Sequence, residues 1–129
     1  MPLIRTACLF GLTLSFAALC ACTVEPQFNR YQLPADPVFS GQGAVAELQK
    51  SAFRALDNQA YHEAIDYLQR AIKIAPRDPL SWHYLALTYW RSGEMERCVE
   101  MTERSFSYSE VDDNLDYANQ RLREKCRRG

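Results

Sequence analysis

At 129 residues with a formal net charge of -1, the chain has room for one modest domain. Its near-neutral charge argues against a general nucleic-acid binder, since such proteins present an excess of basic residues. Its 47% hydrophobic share is ordinary for a folded chain and excludes wholesale disorder.

In chain order, Arg5 precedes an uncharged apolar run from Ala7 to Leu19. The run is too short to span a bilayer and reads as the core of a signal peptide over 1–21. It ends in Leu19-Cys20-Ala21-Cys22, which resembles a bacterial lipobox, with a leucine, a tolerant position and a small residue ahead of the lipidated cysteine. Cys20 fits less well, because Leu19 would then hold the small-residue slot. The resemblance implies lipidation at Cys22. With Thr23 next, where an aspartate would favour the inner membrane, it implies an outer-membrane anchor with the domain facing the periplasm. The multiple acyl chains of such an anchor suffice for stable attachment.

Residues 22–43 carry Pro26, Pro34, Pro37, Gly41 and Gly43 without a sustained hydrophobic period, as expected of a flexible tether. Phe28, Tyr31 and Phe39 are its large apolar groups, read as linker residues, with docking on the domain or a partner as the alternative.

From residue 44 to 129 the pattern changes. Leu48 and Trp82, Ala52 and Ala86, Tyr61 and Met95, Ala64 and Cys98, Ile65 and Val99, and Ile72 and Phe106 recur at one spacing of ~34 residues. Trp82, Leu85, Ala86 and Tyr89 share one helical face, and so do Tyr61, Ala64, Ile65, Leu68, Ala71 and Ile72. Asp78 can cap a helix that has Pro79 in its first turn, and Gly93 can close that helix in a left-handed conformation. Asn58 is expected to fill the equivalent turn of the first unit. A final stripe of Val111, Leu115, Ala118, Leu122 and Cys126 predicts a capping helix. The expectation is five helices, over roughly 44–57, 61–74, 79–91, 95–108 and 112–127.

This stretch resembles the tetratricopeptide-repeat family over Val45 to Glu110. The fold implied is all-α: two helix-turn-helix units and a C-terminal cap helix in a short right-handed α-solenoid. Ser51, Ala55, Thr102 and Glu110 depart from the family pattern at the edges of the units.

Catalytic chemistry is not legible. His62 and Asp66 share a helix face but lack a third ligand, and neither a phosphate loop nor a nucleophile elbow is present. No cofactor, metal or catalytic residue is expected. Cys98 and Cys126 remain once the leader is removed and Cys22 is lipidated, and antiparallel packing brings them to one end of the bundle. A disulfide in an oxidising compartment and a free buried Cys98 are both open readings.

Arrays of this family bind proteins on the inner wall of their first helices. The outward positions there are Gln49, Phe53, Leu56, Leu80, His83, Leu87, Trp90 and Arg91, of which Phe53, Leu87 and Trp90 beside Arg91 form a candidate protein-binding patch. Packing of Phe53 and Trp90 under the linker or in a dimer contact is the alternative. The basic C-terminus (Arg121, Arg123, Lys125, Arg127, Arg128) is either solvated or an anionic contact. The architecture is similar to small tetratricopeptide lipoproteins that stimulate a bifunctional class A penicillin-binding protein. It implies a non-enzymatic regulator of peptidoglycan synthesis; a pilotin or other envelope assembly factor is the second reading.

Overall fold

A computed structural model describes residues 37–129 except 42 and 111. The expected signal peptide, Cys22 and most of the expected tether lie outside the described residues.

Five helices follow one another: α1 (Ala44–Asp57), α2 (Tyr61–Ile74), α3 (Pro79–Ser92), α4 (Met95–Tyr108) and α5 (Asp113–Arg128). Each packs on its neighbour in the chain, and α3 also touches α1 and α5. The fold is therefore all-α, with helices stacked in a sequential, repeat-like manner of the solenoid type.

Local chemistry explains where the helices stop and start. Asp78 accepts a hydrogen bond from the Ser81 backbone N–H at 2.9 Å, with Pro79 opening α3 where its missing N–H costs nothing. Asp112 caps α5 in the same way, accepting from Asn114 and Leu115 N–H. Gly93 ends α3 at φ 84°, and the N–H groups of Gly93 and Glu94 return to the Trp90 and Tyr89 carbonyls. The equivalent turn after α1 needs a correction. Asn58 keeps φ -83°, and the left-handed residue is Gln59 at φ 60°. Gln59 and Ala60 N–H bond to the Leu56 and Ala55 carbonyls, the same closure one repeat earlier. The spacing of the turns, not the residue type, decides which position bends.

The core lies between the helices and is built from Leu56, Leu68, Leu85, Tyr84, Tyr89, Met101 and Leu122, with alanines at the closest approaches. Ala64, Ala71 and Ala86 are 0% exposed, so any larger side chain there would force the helices apart. Each fully buried leucine contributes roughly 1.5–3 kcal/mol relative to exposure. Thr102, which departs from an apolar pattern, is also buried; its hydroxyl donates to the Cys98 carbonyl at 2.7 Å and so has a partner of its own.

α5 buries Leu115, Ala118, Leu122 and Cys126, the faces expected of a cap, and adds Asn119. Cys98 of α4 and Cys126 of α5 form a disulfide, with Cα atoms 6.1 Å apart, and both are buried.

Candidate protein-binding wall

The inner wall formed by α1, α3 and α5 is more closed than the helical phase alone suggests. Three residues placed outward by that phase are buried: Gln49 (0% exposed), Leu56 (3%) and His83 (8%). Each has a separate cause.

Gln49 is covered by a strap from the expected tether. Pro37 to Gly41 lies against α1 and α3, so the ordered structure begins before residue 44. The Ser40 N–H donates to Gln49 Oε1 at 2.8 Å, and Gln49 Nε2 donates to Asp78 Oδ2 at 2.8 Å and Ser81 Oγ at 2.9 Å. Asp78 thus caps α3 and also receives the Ser40 hydroxyl at 2.5 Å. A buried glutamine is tolerated here because both ends of its amide are paired.

Phe39 of the strap stands edge-on to Phe53, with ring centroids 5.9 Å apart, and 6.4 Å from Tyr84. Phe53 and Tyr84 are themselves edge-to-face at 4.8 Å. The Tyr84 hydroxyl donates to the Val38 carbonyl. Burial, with Asp78 nearby, pushes the Tyr84 phenol up to about 12, so it remains a donor throughout the physiological range. Phe53 is consequently half-buried under its own chain.

His83 is buried by α5. Its Nδ1 lies 2.7 Å from Asn119 Oδ1; Asn119 Nδ2 donates to Ser105 Oγ at 2.8 Å, and Ser105 Oγ donates to the Pro79 carbonyl at 2.8 Å. That direction of donation makes Oδ1 an acceptor, so Nδ1 carries the proton of a neutral imidazole. Burial holds this imidazole below its usual range, with the Asn119 bond opposing in part. Leu56, the third, turns into the core between α1 and α2 because it shares the buried face of Ala52 and Ala55.

Of the remaining candidates, Leu80, Leu87 and Trp90 are half-buried and pack against the core. Arg91 is exposed and reaches Asp57 of α1 at 4.0 Å. Lys125 Nζ of α5 stands 4.8 Å from the centre of the Trp90 ring. The wall is thus strapped at its α1 end and accessible around Leu87, Trp90 and Arg91.

Three contributors escaped sequence reasoning, Ser40, Tyr84 and Asn119, while Lys125 is legible there only as part of the basic C-terminus. The signal for the strap is Phe39, one of three large apolar groups in the expected tether, for which docking on the domain is the alternative reading. For Asn119 there was a polar residue beside the apolar stripe of α5, which pattern alone assigns to solvent.

Among the described residues, no group of three metal-ligating side chains exists, and no helix is long and apolar enough to cross a membrane. His62 and Asp66 are both exposed on α2. Arg123 and Arg127 of the basic C-terminus turn toward Glu103 of α4, at 3.0 and 3.8 Å.

The class of protein that these features define is a repeat-like all-α array with a strapped inner wall. Comparison with family models, with curated proteins and with solved structures finds no match for this chain.

Proposed function

We propose that the chain is a non-enzymatic adaptor. It is a lipoprotein anchored through Cys22 in the outer membrane, whose two tetratricopeptide units and cap helix, wound as a short right-handed solenoid, bind an envelope protein from the periplasmic side. The partner in this reading is a bifunctional class A penicillin-binding protein, which the chain stimulates. Glycosyl transfer and transpeptidation then belong to the partner.

The observation that carries the binding role is the accessible half of the inner wall, where Leu87 and Trp90 stay half-buried beside the exposed Arg91. A rigid aromatic with a neighbouring guanidinium is the composition of an interface anchor. The Cys98–Cys126 disulfide supports an oxidising compartment, in keeping with export. The recurrence of the same left-handed closure at Gln59 and Gly93 supports the repeat unit.

Affinity capture from envelope extracts with the full chain as bait tests the reading. Recovery of a cell-wall synthase supports it, recovery of a secretin moves the assignment to a pilotin, and recovery of no protein removes the binding role. Cys22→Ala should abolish outer-membrane fractionation; a variant that fractionates like the wild type sinks the lipobox.

A further inference from the structure

The inner wall repeats its side chains at the spacing of the array, and its charge changes along the way. One rung comprises Phe53, Leu87 and Arg121; the next comprises Asp57, Arg91 and Lys125. At the α1 end the rungs are aromatic and acidic; Phe53 lies under the strap and Asp57 stays exposed. At the α5 end both are cationic, while the rung of Leu56 and Trp90 ends in the exposed Glu124.

These cations are not neutralised from within. Arg121 and Lys125 have no carboxylate within ion-pairing distance among the described residues, and Arg91 meets Asp57 only at 4.0 Å, with both side chains well exposed. Glu124, the nearest acid in the chain, accepts a hydrogen bond from Gln120 and keeps its negative charge, leaving three cations against it. By contrast, Arg123 and Arg127 on the other face of α5 share Glu103. The helix therefore sorts its charges: Arg123 and Arg127 meet a carboxylate of α4, whereas Arg121 donates to the Tyr117 hydroxyl at 3.3 Å and Lys125 rests on the Trp90 ring.

The wall also shows how it holds an extended chain. At the α1 end it seats Phe39 on Phe53 and takes the Val38 carbonyl with the Tyr84 hydroxyl. One apolar side chain, two backbone bonds (at Val38 and Ser40) and the Ser40 hydroxyl secure that segment.

We infer that the open half of the wall, Leu87 and Trp90 framed by Arg91, Arg121 and Lys125, takes an extended acidic segment of a partner protein, one apolar side chain of which rests on Leu87 and Trp90. The inference rests on the protein-binding reading above and adds the partner's chemistry to it. With Arg91, Arg121 and Lys125 set against Asp57 and Glu124, the site stays net positive, which attracts an acidic chain at a distance and selects against basic ones. An anionic bilayer fits less well. The exposed large apolar side chains among the described residues are Val38 and Ile74, and neither lies on α5 to enter a membrane beside the cations.

The test uses the purified full chain in non-ionic detergent, with three probes: a fluorescein-labelled peptide of alternating glutamate and leucine, its lysine-and-leucine counterpart, and phosphatidylglycerol vesicles. The acidic peptide should bind at least about tenfold more tightly than the basic one, and raising salt from about 0.05 to about 0.5 M should weaken it. In a Trp82→Phe background, binding should change the fluorescence of the remaining Trp90. The double variant R121Q/K125Q should lose about tenfold in affinity with its melting curve unchanged, whereas R123Q/R127Q should bind as the wild type does. Equal binding of the two peptides overturns the inference, as does an unaltered affinity in R121Q/K125Q. Capture of the chain by vesicles, lost in R121Q/K125Q, without binding of the acidic peptide assigns the cations to a membrane and also overturns it. If R121Q/K125Q still captures the envelope partner as well as the wild type, this inference falls while the binding role stands. If neither chain captures a protein and the acidic peptide does not bind, both fall.

Discussion

Gln59 and Gly93 hold the same left-handed bend at corresponding places in two successive units, at φ 60° and 84°. Each follows the first helix of its unit and closes it with the same pair of backbone hydrogen bonds. Only one of them is a glycine, so the first unit carries a steric cost that the second avoids.

Gln59→Gly should therefore stabilise the domain, by about 0.5–1 kcal/mol, once the greater freedom of glycine in the unfolded chain is set against the relieved strain. The reciprocal Gly93→Gln should destabilise by a similar amount. No atom lies within 4 Å of a Cβ built on Gly93, so that loss would come from backbone conformation alone. Thermal melts of the two variants read both signs, and a lower melting temperature for Gln59→Gly would contradict the account.

The strap should prove to be part of the folded domain. Phe39→Ala removes the ring that closes over Phe53 and Tyr84, with an expected loss of about 1–2 kcal/mol. Tyr84→Phe removes one donor; because Val38 is 48% exposed, water can satisfy its freed carbonyl, and the loss should stay near ~1 kcal/mol. Val38→Ala, at an exposed side chain, serves as the neutral comparison. Urea unfolding at neutral pH measures all three, and a Phe39→Ala protein as stable as the wild type would mean that the strap merely rests on the wall.

Acid should weaken the domain through His83. Burial holds its folded-state imidazole below the ordinary value of 6.5. As pH falls through that value the unfolded chain takes up a proton that the folded one refuses. The contribution is thus fully present above about pH 6.5 and is lost below it, at up to about 1.4 kcal/mol per pH unit until the folded imidazole also titrates. His83→Gln keeps a donor for Asn119 Oδ1 and removes the titration. Urea midpoints compared between about pH 8 and 5 should fall less steeply in the variant than in the wild type. Parallel slopes would show that carboxylates alone govern the acid limb.

Reduction should act first on α5. The disulfide spans a sequence separation of 28, worth ~3–4 kcal/mol in the chain-entropy account. The helix it fastens is otherwise mostly polar, and its buried residues among those described are Leu115, Ala118, Leu122 and Asn119 besides Cys126. Amide exchange with and without reductant should show α5 losing protection while α1 and α2 keep theirs. Uniform protection under reductant would mean that packing and the His83–Asn119 pair suffice to hold it.

The helices and their ends were legible in the sequence because the forces that set them are local. Apolar residues at helical spacing, Asp78 ahead of Pro79 and Gly93 after Ser92 act within one or two turns of chain, and the observed bounds follow that punctuation to within a residue. The repeat was legible too, since its spacing is written in residue identities such as Ala52 with Ala86 and Ala64 with Cys98. Even so, Asn58 drew the left-handed turn away from Gln59, because asparagine tolerates that conformation better, whereas the geometry of the repeat places the bend one residue later. Which side of each first helix meets water was a different matter. Helical phase put Gln49, Leu56 and His83 outward, and each is buried: the strap covers Gln49, α5 covers His83, and the contact with α2 takes Leu56. Ser40 and Gln49 meet across 9 residues of chain, and His83 and Asn119 across 36. Contacts at those separations depend on where whole helices come to rest, and a periodicity that describes one helix at a time carries no information about what arrives to cover it.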